Sequence, residues 1–436
     1  MLLVSMLLIL FVFSLIGMEI GWAIGFAAFG YLVLSQFEPF GTPMELFPQM
    51  MVAGLDAFIL VAIPLFIFAG ELMNKSGVTQ RIVIFASALV GHIRGGLANV
   101  GVVANFIMSG ISGSALADAA ATGTVLVPAM KERGFPTGFS SAVIASAATV
   151  GPIIPPSISF VLLGAIMEIS VGRLFMGGVV PGFIMFVTMF ALTYWISRRK
   201  GYPVEEKATF QEQRVSFIGA FLPLLAPAFV VGSIVGGIAT PTEAAAIAVF
   251  FTLILGVFVY RNMGWREIVD SAGIAAISSA VIMLTVATSQ IFAFLAVREK
   301  LGVILTNAML GVSDNVYVLL LMANILMLFL GMFMEILPIM LILAPILFPL
   351  FASMGVSDVH FGVVMVLNLM IGMITPPIGL NLFVTSGITG MSLVRVVKAA
   401  LPFVAVLFLF LILVTYIPAM STWLPYSLMG PELTTR

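Results

Sequence analysis

Ser109-Gly-Ile-Ser-Gly-Ser114 and Gly151-Pro-Ile-Ile-Pro-Pro156 have partners further along the chain, Gly331-Met-Phe-Met-Glu335 and Gly372-Met-Ile-Thr-Pro-Pro377. One offset of 221 positions (331 − 110) pairs Gly110, Pro128, Gly134, Gly151, Pro155, Pro156 and Pro181 with Gly331, Pro349, Gly355, Gly372, Pro376, Pro377 and Pro402, and no gap is needed. The shared residues are glycines and prolines, so what repeats is a pattern of backbone breaks. Hydrophobic segments interrupted by Gly and Pro at matching places in two halves point to the binding site of a secondary transporter.

Composition sets the environment. Of 436 residues, 61% are apolar and 8% charged, whereas soluble domains carry about 25% charged residues. So few charges cannot cover a water-soluble fold of this size, and the chain reads as an all-α integral membrane protein in a lipid bilayer. Residues 183–196 and 399–417 hold no charge and approach the ~20 residues that a spanning helix needs. The strands of a membrane barrel would alternate apolar and polar positions, which these runs do not. A net charge of −1 gives no sign of nucleic-acid binding. With no cysteine, disulfides and thiolate metal sites are excluded. Residues 1–16 lack a basic start and a small-residue cleavage site, so they read as a retained span, not a signal peptide.

Spans are expected over 2–16, 20–36 and 56–73, with an interfacial stretch over 42–54 and an amphipathic surface helix over 79–96. Together they make an N-terminal scaffold, residues 1–97. The first repeat, 98–198, holds a re-entrant hairpin (98–130, broken at 110–113), a span over 139–167 broken at 151–156, and a crossing over 174–197. Residues 199–215 form a polar linker that contains Glu205, Glu206, Lys207, Glu212 and Arg214. Scaffold spans over 217–238, 243–260 and 270–296 fill 216–300. The second repeat, 301–420, holds a hairpin over 316–351 broken at 331–338, a broken span over 361–388 and a crossing over 393–417. Residues 421–436 read as a tail.

Lysine and arginine placement orients the chain. With Lys131 and Arg133 in the cytoplasm, only Arg173, Arg298, Lys300 and Arg436 of the 18 basic residues fall outside. An odd number of crossings separates the two hairpins, so they enter from opposite sides and the repeats have inverted topology.

Backbone at bilayer depth must be satisfied internally, so a broken helix survives only beside protein or a hydrated cavity. Each break frees carbonyls and leaves a half-helix N-terminus with unpaired N–H groups and partial positive charge. Carbonyls with hydroxyls make a hard-oxygen cage suited to Na⁺, and the N–H ends suit a carboxylate. Pro155-Pro156 and Pro376-Pro377 lack the N–H groups that would heal the helix. Neither tip nor break holds Lys or Arg, so an anionic substrate needs helix ends, amides, hydroxyls and co-bound cations. Asp118 and Glu335 are intramembrane carboxylates, either functional or turned to a hydrated cavity. Asp118, Ser157 and Asn381 are the candidates for touching substrate. Glu71 and Glu243 are expected to cap or staple scaffold helices.

Five stretches resemble the large membrane subunit (DctM-like, M subunit) of tripartite ATP-independent periplasmic (TRAP) transporters. They are Pro64-Leu-Phe-Ile-Phe-Ala-Gly-Glu71, Gly110-Ile-Ser-Gly-Ser-Ala-Leu-Ala-Asp-Ala-Ala120, Gly151-Pro-Ile-Ile-Pro-Pro-Ser157, Thr240-Pro-Thr-Glu-Ala-Ala245 and Thr375-Pro-Pro-Ile-Gly379. They span essentially the whole chain in family order. The resemblance implies a multi-pass transporter of the bacterial or archaeal inner (cytoplasmic) membrane, with a scaffold and an elevator-type transport domain, driven by a Na⁺ gradient. It implies a small four-helix membrane subunit, a periplasmic substrate-binding protein and a small organic-acid substrate such as a dicarboxylate or sugar acid. Because the chain begins directly with the large subunit, a separate small subunit is expected. Two or more transported sodium ions and no organic cofactor are expected, and no enzymatic activity. The family's first sodium site maps onto Ser112, Ser114, Gly151, Ile154 and Pro156. Applying the offset of 221 gives Phe333, Glu335, Gly372, Thr375 and Pro377 for the second. There Thr375 offers a hydroxyl where the first copy has Ile154.

Other classes fit less well. A channel needs neither paired hairpins nor a moving domain. An intramembrane protease needs a catalytic pair, yet the sequence has no His-Glu-x-x-His and no Gly-x-Gly-Asp. The nearer alternative is a stand-alone sodium/anion symporter of the same inverted-repeat architecture, separable by whether uptake needs an added binding protein.

Overall fold

A computed structural model describes residues 2–39 and 41–432. The helices are α1 (Leu2–Leu15), α2 (Ile20–Ser35), α3 (Leu46–Leu55), α4 (Ala62–Lys75), α5 (Val78–Val90), α6 (Gly96–Ser112), α7 (Ala115–Glu132), α8 (Thr137–Ala148), α9 (Ile158–Met167) and α10 (Val171–Lys200). Then follow α11 (Phe210–Val235), α12 (Pro241–Leu253), α13 (Trp265–Arg298), α14 (Leu301–Leu310), α15 (Val316–Gly331), α16 (Ile336–Ser353), α17 (Asp358–Gly372), α18 (Leu380–Thr389), α19 (Leu393–Tyr416) and α20 (Ala419–Met429). No strand occurs among the described residues. Seven helical stretches among them are long and apolar enough to cross a membrane, including α10, α11, α13, α16 and α19.

The offset read from Gly and Pro reappears in the helix bounds. Both ends of α7 and α16 differ by 221 (336 − 115 and 353 − 132). The starts of α8 and α17 differ by the same amount, and those of α9 and α18, and of α10 and α19, by one residue more. α14, which no span reading anticipated, falls inside the range of α5 shifted by 221, though its bounds match less closely (301 − 78 is 223 and 310 − 90 is 220). It is a short apolar helix with only Met309 buried, so its composition alone did not separate it from its flanks.

Two helices form the centre. α8 is buried from Phe139 to Ala148 and α17 from Val359 to Gly372. A helix apolar on every face belongs in a core. α8 achieves this with Ser and Ala, small side chains that let neighbouring backbones approach where lipid gives no hydrophobic drive between helices. α6, α7, α18 and α19 pack on it. The second half of each broken helix leans on the other repeat: α9 packs on α16, and α18 on α7 and α8. Thus neither repeat closes its own core. α13, a 34-residue helix, packs on α2, α3 and α4 and forms a wall beside this centre.

Two readings change. Residues 421–429, read as part of a tail, belong to α20, which packs on α10 and α17. Its C-terminal carbonyls give partners to Arg173, which the charge count alone put on the disfavoured side. The guanidinium donates to the carbonyls of Gly430 (2.8 Å), Met429 (2.9 Å) and Pro431 (3.3 Å), where a helix C-terminus favours a cation. Arg436 lies outside the described residues. Glu243 does cap: its Oε2 accepts from the Thr240 N–H (2.8 Å) and hydroxyl (2.9 Å), closing a capping box. Glu71, by contrast, faces the central cavity.

Candidate functional site

The tip of the first hairpin is a two-residue turn. α6 runs on through Gly110 to Ser112, and Gly113 breaks it with φ +61°, a conformation that costs a residue with a Cβ. A Cβ at Gly113 would also sit 2.7 Å from the Pro156 carbonyl oxygen, so the tip touches the break of the next helix. Gly110 has a different task from the one its repeat suggested. It stays helical, and a Cβ there would lie 3.1 Å from Pro227 of α11, so it serves close packing between helices.

Ser112 organises the tip. Its hydroxyl donates to Asp118 Oδ1 (2.6 Å) and accepts from the Ser114 N–H (3.2 Å). Ser114 is the N-cap of α7, its Oγ accepting from the Ala117 N–H (3.4 Å). Asp118 is wholly buried, and its Oδ2 has no hydrogen-bond partner among the described residues. A Cβ at Gly151 would lie 3.0 Å from that oxygen. Tip and break therefore bring together Ser112, Asp118, Gly151 and Pro156. Ser157 closes the break: it donates to the Pro152 carbonyl (2.5 Å) and caps α9 by accepting from the Phe160 N–H (3.2 Å).

The second tip is built otherwise. α15 ends at Gly331, and α16 starts at Ile336 with Glu335 as an N-cap whose side chain makes no capping bond. Here glycine meets glycine: a Cβ on Gly372 would fall 2.7 Å from the Gly331 backbone. The Gly379 N–H donates to the Met332 carbonyl (3.4 Å), and the Thr375 hydroxyl to the Ile371 carbonyl (2.7 Å). Pro155-Pro156 and Pro376-Pro377 are cis in both breaks. Pro377 is exposed where Pro156 is buried, and Phe333 is 37% exposed.

A cavity of about 400 Å³ lies between the two tips. The first turns of α7 and α16 line it, as do Pro152 and Met373 from the breaks and Ile158 and Ser159 from the first turn of α9. Of the residues read as sodium ligands, Ser112, Ser114 and Glu335 line it; Gly151, Ile154, Pro156, Phe333, Gly372, Thr375 and Pro377 do not. The residues read as substrate contacts do not line it. Asp118, Ser157 and Asn381 are fully buried, and Asn381 Nδ2 donates across the repeats to the Ala145 carbonyl (3.2 Å). Three further polar residues of the lining were not anticipated: Glu71 and Asn74 from α4, and Ser278 from α13. Glu71 closes the Pro64–Glu71 motif and is a carboxylate within an expected span, and Ser278 belongs to a Ser/Thr-rich stretch in an apolar helix; these signals could have flagged both. No Lys or Arg lines the cavity.

The family description "Tripartite ATP-independent periplasmic transporter, DctM component" matches residues 7–420. The chain belongs to this family. It is similar to the sialic acid TRAP transporter large permease protein SiaM of Vibrio cholerae, 37% identical over 414 residues, covering 95% of this chain and 96% of that protein. The C4-dicarboxylate TRAP transporter large permease protein DctM of the same organism is 39% identical over 399 residues, covering 87% and 88%. Among solved structures, the Alcanivorax borkumensis YdaH transporter aligns with a TM-score of 0.60 at 14% identity, covering 93% of this chain and 98% of that one; the likeness is one of fold. As a TRAP large permease, the chain is a multi-pass membrane transporter component and not an enzyme.

Proposed function

We propose that this permease carries a small organic acid into the cell, driven by a Na⁺ gradient, by an elevator movement of the hairpins and broken helices against the remaining helices. The observation that carries the reading is that both tips and both breaks border one cavity without a basic side chain. Three half-helix N-termini, those of α7, α9 and α16, open on it and offer N–H groups and partial positive charge to a carboxylate. Two such termini bear an oxygen-bearing cap at the same repeat position, Ser114 and Glu335. Cations bound beside the anion then balance its charge. The first sodium is assigned to Ser112, Ser114, Gly151, Ile154 and Pro156, the second to Phe333, Glu335, Gly372, Thr375 and Pro377. Inverted topology of the repeats makes the two sites mirrored versions of one another.

The relatives named for sialic acid and for C4-dicarboxylates support a carboxylate substrate. Membership of the family supports a small membrane subunit, a periplasmic binding protein and an inner-membrane location. Proteoliposomes holding both membrane subunits test all of this. Uptake should saturate with external Na⁺, collapse without the Na⁺ gradient and require added binding protein. Uptake without the binding protein would instead support the stand-alone symporter, and uptake indifferent to Na⁺ would end both readings.

Thr375 tests the second site. Its proton is held by Ile371, which leaves lone pairs for a cation. Thr375→Val keeps the shape and deletes the oxygen, at a cost of roughly 1–3 kcal/mol in that site. The Na⁺ concentration for half-maximal uptake should rise about tenfold, and the Hill coefficient should fall towards one. Unchanged cooperativity and sodium affinity would remove Thr375 from the site.

A further inference from the structure

A second cavity, of about 330 Å³, opens where α13, α14 and α16 meet. Val297, Val303, Ile342 and Ile346 make its wall apolar, and Lys300 stands at its edge. Lys300 is exposed, and its side chain has no ion pair or hydrogen bond among the described residues. The adjacent Glu299 is already engaged by the Tyr31 hydroxyl (2.5 Å). The first half of the chain has no equivalent. At the positions 221 earlier, Thr79 replaces Lys300 and Arg81 replaces Gly302, and Arg81 stacks on Tyr260 at 3.7 Å. The slot is therefore particular to the second half and not a by-product of the repeat.

An apolar slot on a membrane helix bundle, with one free cation at its edge, has the chemistry of an anionic amphiphile site. We propose that it binds an anionic phospholipid, an acyl chain lying between α13/α14 and α16, and the headgroup phosphate at Lys300. α16 also lines the central cavity with Ile336 and Leu337, so this lipid packs against a helix whose other end forms the transport site.

The absence of cysteine makes the test direct, because Thr306→Cys places a single thiol in the slot. Maleimide labelling of the full chain is measured in detergent micelles doped with phosphatidylglycerol or, at equal mole fraction, phosphatidylcholine. Phosphatidylglycerol, whose phosphate charge no choline neutralises, should protect the thiol about fivefold better, the factor that one lysine supplies toward a net-anionic lipid. Leu409→Cys on α19, whose native side chain is 67% exposed, should label equally in both. Lys300 has φ +56°, which asparagine tolerates, so Lys300→Asn removes the charge and keeps the backbone; it should abolish the difference between lipids. Equal protection by both lipids, or a preference that survives Lys300→Asn, overturns the proposal. So does protection that appears only when another membrane polypeptide is co-purified, which would make the slot a protein interface. Should Lys300→Asn fold poorly, Gly302→Leu gives a second reading. A Cβ there meets only Ile346 Cγ2, at 3.9 Å, and the added bulk should lower the phosphatidylglycerol count by one in native mass spectrometry. An unchanged count overturns the proposal equally.

Discussion

Gly372→Val should abolish substrate uptake while the protein still inserts and purifies. A Cβ at this position would fall 2.7 Å from the backbone of Gly331, and backbone cannot turn aside as a flexible side chain would. Valine adds two methyl groups to that clash. Overpacking of this kind costs typically 1–3 kcal/mol, but its location gives it a larger functional effect. In the proposed elevator movement the second tip and the break of α17 travel together as one packed unit, and the Gly379–Met332 backbone bond spans the same junction. Uptake should fall at least a hundredfold in proteoliposomes, with a smaller loss for Gly372→Ala. The comparison residue is Gly387, where a Cβ meets nothing within 4 Å; Gly387→Ala should leave uptake within about twofold. If Gly372→Val transports normally, close approach of tip and break is not needed for the transport cycle.

Ser112→Ala should raise the Na⁺ concentration for half-maximal uptake tenfold or more. The hydroxyl removed is the one hydrogen-bond partner of Asp118 Oδ1, and Oδ2 already has none among the described residues. A buried polar group left without a partner costs about 1–3 kcal/mol, more when it is charged, so stability should fall as well. Adding Asp118→Asn separates the two effects. The amide is cheaper to leave unpaired, so thermal stability should recover in the double mutant. The sodium shift should persist if the serine oxygen is itself a ligand. Recovery of both together would make Ser112 a support for Asp118 and not a sodium ligand. Ser114→Ala is the milder change: it removes an N-cap bond, worth about 1 kcal/mol.

The breaks were legible in the chain because glycine and proline act locally. Proline forbids a backbone bond wherever it stands, and glycine tolerates φ > 0 wherever it stands. α7 and α16 begin and end 221 positions apart, the spacing of the repeated glycines and prolines. The two serines of the first tip and Glu335 of the second line one cavity. Side-chain chemistry was less legible, since the halves share their breaks but not their cores. Asn324, Asn368, His360 and Thr415 form a buried polar network in the second half: Asn368 Nδ2 donates to Asn324 Oδ1 (2.7 Å), Asn324 Nδ2 to the Thr415 hydroxyl (3.0 Å), and His360 Nε2 meets the Thr415 carbonyl (3.2 Å). At the equivalent positions of the first half stand Val103, Ala147, Phe139 and Tyr194.

What the sequence determined by itself was the membrane environment and the doubled pattern of breaks, since composition and local backbone chemistry suffice for these, and the family, through the resemblance of its motifs. Tertiary structure decided what faces what. It withdrew Asp118, Ser157 and Asn381 from the cavity wall and put Glu71, Asn74 and Ser278 there instead. It moved Gly110 from a break to a helix contact with Pro227, and gave Arg173 the C-terminal carbonyls of α20, 256 to 258 residues away, as its partners. These are relations between helices distant in sequence, fixed by which small residues allow close approach and by which buried polar groups must find partners, and neither condition can be read along a single helix.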